Sequence, residues 1–392
     1  MSPGGGRRAG ERIAAARKLR RLTQAQLAEA AAISVSLLRK IEQGSRPVTP
    51  AVWSSVSRAL GLQGAVSAGG RQSAHSRVRV AIPNLRCALD CYDLPDDGPV
   101  APLPDLRAAT EKATARRLAA QYASLADTLP ALVTELTRAA HSYAGHDQEI
   151  TFGLLTLAYR AADAICDKFG YPDLSARTIG LMRWAAARSG DPVLAGVAAY
   201  VRAEMFFSNG RQATGLRALD AASRPLAAHG SREALAVYGS LYMRAGVLAA
   251  RAGLPETAAS YLAEARDIGR HVPDATYRGT AFGPSSVQIH EMPAAAELGD
   301  SMAALRRTAS WQPPLTVPAE RRSHYFIELA RTQVWAGRHN EALASLNAAR
   351  HAAPQHTRHN PHVHETARTL LRQHRHPGDT LIGFAHWIGL DE

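Results

Sequence analysis

Residues Leu22 to Gly44 read LTQAQLAEAAAISVSLLRKIEQG, and the spacing of capping and apolar residues in this stretch decides the N-terminal fold. Thr23 is placed to cap a helix begun by Gln24, and Leu27 with Ala28 gives that helix an apolar inner face. A short turn follows at Ala31 to Ile33. Ser34 is placed to cap a second helix, whose Leu38 and Ile41 lie three apart and point back at Leu27. Val35, Ser36, Arg39 and Lys40 are left facing outward. Amphipathic segments on either side, Ile13 to Leu19 and Val52 to Leu60, are expected to complete a small core.

The charge of this region is distinctive. Residues 1 to 60 hold eleven basic side chains, including Arg7, Arg8, Arg12, Arg21 and Arg58, against three glutamates, while the whole chain carries a formal +12. Most of the net charge is therefore concentrated here. Neutralising phosphates with such a patch releases counterions and supplies the sequence-independent part of nucleic-acid affinity.

These residues resemble the lambda-repressor-like, or XRE-type, helix-turn-helix family over roughly Arg12 to Leu62. The matching features are Thr23, Gln24, Leu27 and Ala28 at the first helix and Ile41, Glu42 and Gly44 at the end of the second. The resemblance implies binding to double-stranded DNA with the second helix in the major groove. By position, it implies that Gln24 holds a phosphate at a helix N-terminus and that Ser34 opens the recognition helix. Val35, Ser36 and Lys40 would reach base edges and Arg39 a base or a phosphate, with Arg17 and Arg46 on the DNA backbone. The sequence departs from the family at Ala32, where glycine is usual, so the turn is expected to close without a positive φ.

A chain of 392 residues with 46% apolar content is long enough for two domains. It is rich in Ala, Leu and Arg with 6% aromatic residues, which favours helices over strands. Val78 to Ile82 is the one strand candidate. There is no uncharged apolar run of 18 residues and no apolar segment near the start, so a cytoplasmic protein without a membrane span is expected. Three cysteines do not make a disulfide framework; Cys87 and Cys91 read as buried or half-buried thiols. Histidines crowd the C-terminal region, among them His356, His362, His374 and His376, with irregular spacing that suits a solvated surface. Neither set forms a metal site.

Residues 63–105 read as a linker. Gly64 to Ser76 is small and polar, Asp93 to Asp105 is rich in proline and aspartate, and Val80 to Leu89 between them reads as a short element docked on the following domain. Beyond it an internal repeat is present. From Gly337, Ala342, Leu346, Ala349 and Pro354 follow at +5, +9, +12 and +17, with Ala330 at −7 and Phe326 at −11. The same offsets recur about Gly253 and, more loosely, about Gly170, Gly210 and Gly299, with separations of 40, 43, 46 and 38. Small residues let neighbouring helices approach, and the aromatic fills the space between layers. These units resemble degenerate tetratricopeptide repeats, longer and less even than the regular period of about 34. Asn360 to His374 reads as a capping helix, onto which the tail packs through Phe384, Trp387 and Ile388.

The expected fold is all-α, an N-terminal helix-turn-helix bundle (residues 7–62) followed by a tetratricopeptide-like helical repeat superhelix (106–392). That arrangement resembles peptide-sensing regulators of the RRNPP group and, given 42 arginines against four lysines, actinobacterial XRE regulators more closely. It implies a transcriptional regulator that forms a homodimer on an inverted-repeat operator and senses a small molecule or peptide; a DNA-tethered adaptor for another protein is the alternative. In such repeats the first helix of each pair lines the concave surface, at −13, −10, −6 and −3 from the turn glycine. These offsets select Arg160, Tyr200, Glu204, Phe207, Met243, His324 and Arg331 as effector contacts. Phosphate-loop, nucleophile-elbow and zinc-helix motifs are missing, no cofactor is called for, and no enzyme activity is expected.

Overall fold

The computed structural model describes residues 10, 13–18, 20, 22–46, 48, 52, 55–56, 59–60, 74–309, 311–373 and 378–390. Arg7, Arg8, Arg12, Leu19, Arg21, Arg58, His374, His376 and the segment 61–73 lie outside them. Among the described residues the fold is all-α apart from one short hairpin, and the chain divides into two compact units, Met1–Val80 and Ala81–Glu392.

In the first unit, α1 (Gln24–Ala30) and α2 (Val35–Glu42) form the helix pair. Thr23 and Gln26 make a reciprocal capping box, Thr23 Oγ1 accepting from the Gln26 amide at 3.1 Å and Gln26 Oε1 from the Thr23 amide at 2.8 Å. Ser34 Oγ accepts from the Leu37 amide at 3.1 Å. Leu27, Ala28, Leu38 and Ile41 are buried in one cluster with Ile13, Ala31, Val56 and Leu60, so flanking segments close the core as their patterning predicts. The turn differs from expectation. Ala32 takes φ +51°, so the glycine-like conformation is kept and the methyl group bears its strain.

The connector is more ordered than its composition suggests. Helix α3 (Ala74–Asp90) runs through Pro83 and through Val78–Ile82, which is helical rather than a strand. Val78, Ile82, Leu85 and Leu89 are buried at a spacing of three and four, the helical period that a five-residue window conceals. Of the connector read over Asp93 to Asp105, Asp93 to Pro102 is non-helical while Leu103 to Asp105 already belong to the next helix; Arg138 ties it down, donating to the carbonyls of Asp96 at 3.0 Å and Pro99 at 3.1 Å. Cys87 is exposed, not buried; Cys91 is half-buried and Cys166 fully buried.

The second unit begins with α4 (Leu103–Leu118), α5 (Tyr122–Ala126) and α6 (Leu129–Ser142). Five helix pairs follow: α7 (Gly145–Lys168) with α8 (Pro172–Arg188), α9 (Pro192–Ser208) with α10 (Gln212–Ala227), α11 (Arg232–Arg251) with α12 (Pro255–His271), α13 (Pro284–Glu297) with α14 (Ser301–Thr308), and α15 (Ala319–Trp335) with α16 (His339–Ala352). Gly170, Gly210, Gly253, Gly299 and Gly337 each sit at the turn inside a pair with φ between +63° and +86°, where a side chain would be strained. The first helices α7, α9, α11, α13 and α15 pack in succession and form an inner layer. Helices α17 (Pro354–Arg358), α18 (Pro361–Gln373) and α19 (Asp379–Ile388) close the C-terminal end, with Phe384 and Ile388 buried against Ile327, Leu346 and Leu370.

The hairpin is the one element with no counterpart in the sequence reading. Strands β1 (Ala275–Tyr277) and β2 (Thr280–Phe282) pair antiparallel through a two-residue turn, Arg278 at φ +46° and Gly279 at φ +74°. Phe282 is buried against α11, where a β-carbon on Gly239 would lie 2.1 Å from the ring, so glycine at that position makes room for the hairpin.

Candidate functional site

The outward face of α2 carries the first candidate site. Val35, Ser36, Arg39 and Lys40 are exposed while Leu38 and Ile41 anchor the opposite side. The Lys40 carbonyl accepts from the Ser45 amide at 2.9 Å and the Arg46 amide at 3.2 Å, which turns the chain after α2 and leaves Arg46 exposed beside it. Two residues assigned to phosphates are engaged elsewhere. Arg17 donates Nε and Nη2 to both carboxylate oxygens of Glu42, at 2.8 and 2.9 Å, and Nη1 to the Leu22 carbonyl at 2.9 Å. Gln24 Nε2 donates to Glu42 at 2.7 Å. Although its burial opposes ionisation, these bonds hold the Glu42 carboxyl below its usual range. Arg17 is therefore an internal clamp between the preceding helical segment and the end of α2, and Ser34 is occupied as a helix cap.

A family model described as a helix-turn-helix domain matches residues 8–68. No curated protein and no solved structure matches the chain. The N-terminal unit is thus a helix-turn-helix domain, the fold of DNA-binding regulators, and no helix among the described residues is long and apolar enough to cross a membrane.

The second candidate lies inside the repeat unit, where the inner-layer helices line a cavity of about 140 Å³ that is partly open to solvent. Arg160, Asp163, Asp167 and Lys168 reach it from α7, Tyr200 and Glu204 from α9, and Arg244 from α11; His290, Glu320, Arg321, His324 and His356 close the far side and Arg117 comes from α4. Arg160, Tyr200, Glu204 and His324 of the sequence selection thus line it. Three others do not. Met243 is fully buried in the core, Phe207 lies beneath the guanidiniums of Arg244 and Arg251 at 5.6 and 5.2 Å, and Arg331 pairs with Glu328 at 2.6 Å while covering Trp335.

The cavity walls are connected by polar contacts. Arg321 donates to the Tyr200 hydroxyl at 3.0 Å and to His290 Nε2 at 3.1 Å. Arg244 stacks over the Tyr200 ring at 4.3 Å and pairs with Glu204 at 3.1 Å. Lys168 pairs with Asp167 at 2.6 Å, and Arg117 with Glu320 at 3.3 Å. The hairpin tip joins in: Arg117 donates to the Gly279 carbonyl and Arg160 to the Thr280 hydroxyl, while Arg278 pairs with Asp191 and Glu233 at 3.2 and 2.9 Å.

Ionisation follows from this crowding. Burial, with Lys168 nearby, pushes His356 down to about 4, and burial with Arg321 holds His290 and His324 well below the usual imidazole range, so all three are neutral at pH 7. Burial and the Glu204 charge raise Asp163 to about 8. Tyr200 runs the other way: burial opposes its ionisation, yet Arg244 and Arg321 draw its phenol down to about 8. With Asp163 mostly protonated, the five cations of the walls exceed the remaining carboxylates.

Part of this site was readable. Arg160, Asp163 and Asp167 stand at i, i+3 and i+7 of a mostly buried helix, a charged stripe that solvation alone would not place there. Arg321 is one turn from His324. His356, read with its neighbours as part of a solvated surface, is instead 3% exposed on the short α17; it and the hairpin tip reach the cavity through the fold of distant segments, which local spacing does not display.

Proposed function

We propose that the chain is a sequence-specific transcriptional regulator of XRE type that binds an inverted-repeat operator as a homodimer, and that its tetratricopeptide-like repeats sense a small molecule or peptide. The observation that carries the reading is the pairing, in one chain, of a helix-turn-helix domain with an exposed Ser36, Arg39 and Lys40 face and a repeat unit with a concave charged cavity. A concave cavity of mixed polarity supports a sensor; an adaptor for a protein partner would be better served by a flat charged groove. One helix-turn-helix head contacts few base pairs, so two half-sites about one helical turn apart, or a multiple, are expected. Residues 106–392 would supply the dimer contact and the effector site. Effector binding would act by favouring one spacing of the two heads, which requires unequal affinity for the DNA-competent and incompetent states.

Genome-wide mapping of bound sites, with and without an extract of the producing cells, tests the reading. Inverted repeats whose occupancy changes with extract are expected. Occupancy indifferent to every extract would remove the sensor, and light scattering that showed a monomer both free and on DNA would remove the dimer.

A further inference from the structure

Two guanidiniums in the cavity, Arg160 buried and Arg321 half-buried, make no ion pair with a carboxylate among the described residues. Arg160 is 7% exposed and bonds to the Thr280 hydroxyl and the Arg278 carbonyl; Arg321 bonds to a phenol and a neutral imidazole. In this they differ from Arg117, Lys168 and Arg244 beside them. A buried charge without a counter-charge is costly, and a bound anion is the direct remedy. The Nε–H of Arg244 adds a buried donor with no partner.

The second feature is an acceptor. Glu320 is ionised: burial opposes its charge, but Arg117 together with Lys168 and Arg321 holds its carboxyl below the usual range, so it can only accept. The Tyr122 hydroxyl donates its one hydrogen to Glu320 at 3.2 Å, and its oxygen then accepts from Nδ1–H of His356, also 3.2 Å away. That chain of bonds fixes the tautomer of His356. Its Nε2 is left as a bare lone pair on a side chain 3% exposed, with no partner among the described residues.

We propose that the cavity receives a small anion that also carries a hydrogen-bond donor, its charge set against Arg160 and Arg321 and its O–H or N–H against Nε2 of His356. The inference rests on the sensor reading above and narrows its ligand class to small acids such as hydroxy-carboxylates or hydrogen phosphate. The volume of about 140 Å³ suits such a molecule.

Matched probes separate the two halves of the proposal. Thermal melting and calorimetric titration of the full chain, at pH 7 and constant ionic strength, compare L-malate with succinate and hydrogen phosphate with sulfate. The first pair reads a carboxylate source, the second a phosphate source, and in each only the first member brings a donor. In at least one pair the donor-bearing anion is expected to raise the melting temperature of the repeat unit by about 2–4 °C and to bind about tenfold more tightly than its mate. Arg160→Gln and Arg321→Gln, each checked for unchanged helicity, should lose the shift; His356→Phe should keep an anion effect and lose the difference within the pair. No stabilisation by any of the four overturns the anion site, and equal stabilisation within both pairs overturns the donor contact. A shift that survives in both arginine variants marks an adventitious ion only, and this too overturns the proposal. Binding as expected with DNA occupancy unmoved by the bound probe would leave this inference standing and remove the sensor reading instead; the converse, a response to extract without anion binding, would remove this inference alone.

Discussion

The two units use the same arginine-rich composition differently, one holding its cations in solvent and the other placing several inside its fold. In the helix-turn-helix unit the described core is an apolar cluster of Ile13, Leu27, Leu38, Ile41, Val56 and Leu60, and Arg39, Lys40 and Arg46 are exposed. The repeat unit encloses cations, carboxylates and three imidazoles among its inner helices. An exposed cation exerts a screened field over about a Debye length and suits a polyanion of any local geometry. An enclosed one loses its hydration and must be met group by group, so it discriminates among small partners. The difference teaches that net charge alone, +12 over the chain, describes the first unit well and hides what the second does.

Acid provides the largest test of this contrast. Residues 1–74 hold no histidine, whereas His290, His324 and His356 are neutral when folded and titrate near 6.5 once unfolded. Their folded pKa values are depressed, so between about pH 6.5 and 4 the unfolded repeat unit binds protons that the folded one refuses, and stability falls as pH falls. Asp163 opposes this, since its raised pKa lets the folded state hold a proton the unfolded state lacks over roughly pH 4 to 8. His362 is depressed in the same direction by burial, so the histidines outweigh Asp163 and stability falls with acid by on the order of 3 kcal/mol per pH unit near pH 5. Glu42 loses its contribution only below the ordinary carboxylate range. Calorimetry should therefore show the repeat transition dropping between pH 6.5 and 5 while the N-terminal one holds; equal sensitivity of both would break the comparison.

On the exposed side, replacing Arg39 and Lys40 together with alanine should weaken operator binding by about a hundredfold, with helicity and melting unchanged. Fluorescence anisotropy against operator and scrambled duplexes reads both. Unchanged operator affinity would mean that α2 is not the recognition helix.

Arg17 and Glu42 sharpen the boundary between the two kinds of arginine. Glu42→Ala strips Arg17 of its carboxylate and Gln24 of its acceptor, and it should cost the N-terminal unit about 2 kcal/mol by denaturant unfolding. The salt dependence of DNA binding by folded Arg17→Ala should stay close to that of the parent, because this guanidinium is spent inside the domain. A slope reduced by about one would return Arg17 to the phosphates.

What was legible follows the range of the interactions. The caps at Thr23 and Ser34, the buried Leu27, Leu38 and Ile41, and the turn glycines from Gly170 to Gly337 act over a few residues, so local spacing displays them. The helical repeat-like organisation was legible for the same reason. The Arg17 clamp was not legible because its partner Glu42 is 25 positions away, and Met243 was misplaced because a nominal offset cannot say which side of a helix faces the core. The hairpin tip is the extreme case. Its carbonyls meet Arg117 and Arg160, 162 and 118 residues earlier, and no window of sequence spans such a contact.

The smallest effect concerns the turn at which sequence and structure part. Ala32 adopts φ +51° because Ile33 N–H must return to the Ala28 carbonyl, at 2.9 Å, to end α1 before Ser34 caps α2. The methyl group makes that conformation unfavourable by about 1–2 kcal/mol, and glycine would remove the penalty while losing roughly 0.5–1 kcal/mol through a more flexible unfolded chain. Ala32→Gly should therefore stabilise the N-terminal unit by less than about 1 kcal/mol and leave the repeat unit untouched, in agreement with two cooperative units. Ala32→Val adds a branched side chain at the same φ and should destabilise the N-terminal unit. Urea unfolding of the three proteins, followed at the N-terminal transition, orders them as glycine, alanine, valine; a glycine variant less stable than the parent would show that the left-handed turn is not what strains this domain.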